Sequence, residues 1–100
     1  MQFEMKWTPE ASRQYAALKK DPAHAEELKK IQRALGYLQS NLRHPFLRTH
    51  QFLSLPNPYD SKGKVFEAYA ETQTPEAFRI FWCYGPQRSQ ITIIAITPHP

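Results

Sequence analysis

The sequence predicts an α+β domain in the order β-α-α-β-β-β, a helix hairpin packed on one face of a twisted, mainly antiparallel sheet. Three observations predict it. Residues 2–7 alternate apolar and polar at a period of two. Two proline-opened segments follow, each with apolar residues at three- and four-residue steps. Residues 64–97 then hold three short apolar runs separated by turn residues. With 100 residues, 41% hydrophobic and 13% aromatic, the chain fits one domain, residues 1–100, with enough apolar side chain for a core.

In the first strand Phe3, Met5 and Trp7 alternate with Gln2, Glu4 and Lys6. Thr8-Pro9-Glu10 starts a helix: the hydroxyl caps, and Pro9 sits at the first position, where its missing N–H costs nothing. That helix runs to about Lys20, with Ala11, Tyr15 and Leu18 as its inner stripe. Asp21-Pro22 repeats the signal and opens a second helix, striped by Ala25, Leu28, Ile31, Leu35, Leu38 and Leu42 and ended by His44-Pro45. Glu26 precedes Lys30 by four, the favourable order for a helical ion pair. Residues 45–63 read as a long ordered loop, too apolar at Phe46, Leu47, Phe52, Leu53 and Leu55 for a solvated linker, with a short extended piece near Phe52–Leu55. Strands are expected at Lys64–Glu71, Ala77–Tyr84 and Gln90–Thr97, and the short turns between them require antiparallel pairing. Phe66, Ala68 and Ala70 share one face, and Val65, Glu67, Tyr69 and Glu71 the other.

One cysteine, Cys83, excludes an internal disulfide and a cysteine-rich zinc site, and the four histidines show no metal-ligand spacing with it, so no metal is expected. No apolar run is long enough to span a membrane, and the N-terminus lacks the apolar stretch of a secretion signal; a cytoplasmic protein is expected. The formal net charge is +4, and all of the excess lies in residues 1–50, which carry nine Lys/Arg against five Asp/Glu. A basic balance of this kind suits a polyanionic partner, although charge runs on helices are more often simply solvated faces.

The element order at this length resembles the RelE/ParE superfamily of toxins from bacterial toxin–antitoxin modules. The likeness is carried by Trp7-Thr8 running into Pro9-Glu10-Ala11; by Leu38, Asn41 and His44-Pro45 at the second helix end; by Ala77-Phe78-Arg79-Ile80-Phe81-Trp82; and by the closing Ile91–Thr97 strand that runs into Pro98-His99. The resemblance implies an antitoxin protein as partner, RNA or the ribosome as target, and no cofactor, small-molecule or metal. Its members include metal-independent mRNA endonucleases, gyrase poisons and inactive relatives, so fold and activity are separate questions.

Metal-free RNA cleavage by the ribose 2′-OH needs a base for that hydroxyl, cations for the phosphorane charge and an acid for the leaving oxygen. The resemblance places Arg79 on the phosphate and His99 on the proton, with Glu67 and Tyr69 as auxiliaries and His50, Lys62 and Lys64 as substrate contacts. Each has a structural alternative. If Arg79 stands opposite Tyr69, then Glu67 and Glu71 are its diagonal neighbours, and a cross-strand ion pair explains it. His99 is also the penultimate residue of the chain. His24 and His44 lie at helix ends, where capping suffices. The acidic Glu67 and Glu71 stand where ribosome-dependent members carry basic residues. This feature favours a second function class, a non-catalytic interaction protein on the same fold that binds a protein, a nucleic acid or gyrase.

Overall fold

The computed structural model describes residues 2–71 and 76–98. Strand β1 (Glu4–Trp7) leads into helix α1 (Pro9–Lys20) and helix α2 (Ala25–Ser40), followed by β2 (His50–Gln51), β3 (Phe66–Tyr69), β4 (Phe78–Tyr84) and β5 (Gln90–Pro98). The five strands form one sheet in the order β1-β5-β4-β3-β2. The pairs β2–β3, β3–β4 and β4–β5 are antiparallel, and β1 lies parallel to β5. The expected architecture is therefore present, with the N-terminal strand returned to the edge beside the last one.

The caps work as their residues dictate. The Thr8 hydroxyl accepts the Ala11 N–H at 3.1 Å and donates to the Ile94 carbonyl at 2.8 Å, so one side chain both starts α1 and ties it to β5. Asp21 opens a short 3₁₀ turn, Pro22–His24, rather than α2 itself; its carboxylate accepts from Ala23 N–H at 2.9 Å. That bond and the neighbouring His24 ring hold the Asp21 carboxyl below the usual carboxylate range. The helix α2 ends at Ser40, four residues before His44-Pro45, because Asn41 takes φ −154° and its side chain accepts from Arg43 N–H, an Asx turn that competes with the helix. Glu26 pairs with Lys29 at 3.4 Å, and Lys30 reaches across to Glu71 at 3.5 Å. The His44 ring accepts the Phe46 N–H, a capping role. The extended piece of the long loop sits at His50–Gln51, just before the expected Phe52–Leu55, since Phe52 N–H already closes onto the Val65 carbonyl at 2.8 Å.

Alternation gives the sheet two different faces. Toward the helices, Phe66, Ala68, Ile80, Trp82, Ile91, Ile93 and Ile96 meet Ala11, Leu18, Ile31, Ala34, Leu35 and Leu38 in the main core. Each large aliphatic side chain so removed from water contributes roughly 1.5–3 kcal/mol. A bulge in β5 adds Ile94 between Ile93, which pairs with Trp82, and Ala95, which pairs with Phe81. The opposite face, with Val65, Phe81, Cys83 and Thr92, is also buried. Residues 52–64 cover it: Phe52 packs on Phe81 at 4.8 Å and the Tyr59 hydroxyl meets the Thr92 hydroxyl at 2.9 Å. This loop is pinned by Asn57, whose side chain accepts from Tyr59 and Asp60 N–H and donates to the Lys64 carbonyl. Gly63 is required there, because a Cβ would stand 2.6 Å from Asn57 Nδ2. No described helix is long and apolar enough to cross a membrane.

Candidate functional site

The antiparallel registers bring four of the expected residues together. Tyr69 stands opposite Arg79, the register under which a cross-strand ion pair explains that arginine, and His50 stands opposite Glu67. Period-two alternation then puts Glu67, Tyr69 and Arg79 on the face away from the helices. The Arg79 Nε lies 3.5 Å from Glu67 Oε2, and Glu67 Oε1 lies 2.6 Å from His50 Nε2. The Arg79 guanidinium sits 4.4 Å from the Tyr69 ring centroid, and its Nη1 donates to the Ala77 carbonyl at 2.6 Å. The His50 ring lies 5.6 Å from that of Tyr69.

Burial decides what this cluster can do. Glu67 is 1% exposed and Arg79 3%, whereas the His50 side chain is 46% exposed. The carboxylate and guanidinium therefore neutralise each other inside the protein, where an unpaired charge is strongly unfavourable. The other His50 nitrogen, Nδ1, faces the Arg48 carbonyl at 3.1 Å. The cross-strand ion pair is thus present on Glu67, while Glu71 turns to Lys30 and accepts the Phe78 N–H at 3.1 Å.

Lys62 and Lys64 do not join this group. Phe66 pairs with Trp82, so Lys64 is level with the end of β4, five residues and about 17 Å of extended strand from Tyr69. Both lysines are exposed in the covering loop. His99 lies outside the described residues. Cys83, on the same face, is fully buried, and desolvation pushes its thiol pKa up, so it is a packed, weakly reactive side chain. Among the described residues no group of His, Cys, Asp and Glu is arranged to hold a metal ion.

Two surface clefts flank the C-terminal part of α2, and reading the sequence in linear order did not assemble either. One, about 560 Å³, lies between α2 and β3 and is lined by Lys30, Arg33, Tyr37, Arg48, Tyr69 and Glu71 among others. The other, about 670 Å³, lies at the far end of β3 and β4. The signals were present as separate residues: Arg43 and Arg48 in the basic half, Phe66 and Tyr84 as strand aromatics. Only the chain's return brings them together.

No family model matches the chain, and no curated protein matches it. Solved structures do. It is similar to the YoeB/ParE toxin from Agrobacterium tumefaciens, at TM-score 0.62 and 15% identity over 97% of this chain and 99% of that one. It is similar to a chain of the archaeal RelE–RelB complex from Pyrococcus horikoshii OT3, at TM-score 0.62 and 15% identity over 98% and 96%. It is also similar to a chain of the E. coli DinJ–YafQ toxin–antitoxin complex, at TM-score 0.62 and 14% identity over 99% and 94%. The chain shares its fold with these toxins and toxin–antitoxin proteins over 97–99% of its length.

Proposed function

We propose that this chain is the toxin-like member of a toxin–antitoxin pair, and that it acts by binding its target rather than by cutting RNA. The fold supports the first half, since similar structures include a toxin and toxin–antitoxin complexes. The observation that carries the second half is the burial of the Arg79 guanidinium, 3% exposed, against the Glu67 carboxylate. A phosphate-clamping arginine must present free N–H groups to the anion. Here Nη1 and Nε face a carbonyl and a carboxylate, over an aromatic ring. In the cleft between α2 and β3, where Glu71 already pairs with Lys30, Arg33 suits an acidic antitoxin segment, with binding that weakens as salt rises.

A second reading, metal-independent RNA cleavage, has its own support: Glu67, Tyr69, Arg79 and His50 converge, and His99 would add the proton carrier. Expression from a tightly repressed promoter in a bacterial host, following growth and mRNA integrity, separates the two. Growth arrest with intact mRNA is the expected result. Arrest with mRNA cleavage that Tyr69→Phe or His99→Ala relieves would establish the second reading instead. Normal growth with folded protein would remove the toxin role.

A further inference from the structure

We infer that the cleft at the far end of β3 and β4 is a binding site for a nucleoside phosphate, either free or as part of a single-stranded RNA. Its floor and one wall are aromatic. Phe66 and Trp82 stack at 4.9 Å and 28°, Tyr84 stands edge-on to both at 5.8 and 5.1 Å, and Phe3 meets Tyr84 at 6.3 Å. Tyr84 is 55% exposed, an unusual outlay of aromatic surface at the end of a strand whose preceding five residues are all buried. Across the cleft stand Arg43 and Arg48, both exposed, neither ion-paired among the described residues. No acidic side chain lines the space. Beneath the floor, the Trp82 indole N–H is buried without a hydrogen-bond partner among the described residues.

The two walls ask for different things, and one ligand class supplies both. The exposed Tyr84 ring offers a stacking surface that any base can use, with Trp82 buried behind it, and unpaired guanidinium groups attract phosphate. An acidic peptide would satisfy the arginines and leave the rings without a planar partner. A volume of about 670 Å³ is in the range of small-ligand sites, large enough for one nucleotide. Arg48 is held at the mouth by a left-handed backbone, φ 47°, that closes the turn after Pro45–Leu47. The inference does not rest on the toxin reading: the cleft lies at the opposite end of β3 and β4 from Arg79 and shares only Arg48 with the cleft between α2 and β3.

The test uses the full chain and a fluorescein-labelled, 2′-O-methyl six-nucleotide single strand, which cannot be cleaved through its 2′ position. Saturable binding is expected. Tyr84→Ala should weaken it about tenfold through lost stacking. The double variant Arg43→Ala/Arg48→Ala should weaken it at least as much and flatten its dependence on salt between 50 and 200 mM, roughly in proportion to the phosphate contacts removed. Lys20→Ala, exposed at the end of α1 and away from the cleft, should leave it unchanged. Should Tyr84→Ala fail to fold, Tyr84→Leu keeps the apolar volume and removes the flat ring. Competition by AMP and UMP assigns the site to a free nucleotide; binding of the strand alone assigns it to RNA. No saturable binding, binding indifferent to both the tyrosine and the arginines, or equal competition by a poly-glutamate peptide would overturn the inference.

Discussion

The two ends of β3 and β4 carry arginines in opposite circumstances. At the Arg79 end the guanidinium is enclosed with the Glu67 carboxylate, a tyrosine ring and a carbonyl. At the Tyr84 end Arg43 and Arg48 stand exposed beside aromatic rings with no carboxylate among the lining residues. The same residue type is therefore an internal tie at one end and an anion attractor at the other. What separates them is whether a carboxylate is buried alongside, and that depends on strand register. A motif that matches on the strand bearing Arg79 says nothing about which condition holds.

The contrast can be broken most forcefully at the enclosed end. Glu67→Ala leaves the Arg79 charge buried beside an emptied site and should cost about 3–5 kcal/mol in denaturant unfolding. Glu67→Gln should cost less, because the amide oxygen still accepts. A smaller loss is expected for His50→Ala, the outer member of the cluster: about 1 kcal/mol, since its half-exposed side chain is already partly solvated. The smallest effect belongs to the open end. Arg43→Ala/Arg48→Ala should leave unfolding within about 0.5 kcal/mol, as exposed side chains without partners do. A large loss there would mean that the arginines hold the fold, and the distinction between the two ends would fail.

Much of this was legible along the chain. Thr8-Pro9 and Asp21-Pro22 mark helix entries because a short polar side chain and a proline act on the nearest N–H groups. Alternation grouped Glu67 with Tyr69 on β3, and Arg79 with Phe81 and Cys83 on β4, while the register that sets Arg79 opposite Tyr69 stayed open until the strands paired. Other features were not legible. The place of His50 opposite Glu67 depends on where a long loop closes, and the Asx turn at Asn41 ended α2 before its proline signal did. The apolar residues on both faces of β4 signalled that the face bearing Arg79 would be covered, but not that Phe52 and Tyr59 would be the ones to cover it.

By itself, then, the sequence determined the elements, their order and the face each side chain takes, because caps, prolines and alternation act through sterics and hydrogen bonds over a few residues. Tertiary structure alone decided that β1 lies parallel beside β5, that Arg79 is sealed by Glu67, and that Phe3, Arg43 and Tyr84 line one cleft. Those outcomes join segments far apart in the chain. They are selected by the summed burial of many side chains, a quantity that no short stretch of residues carries.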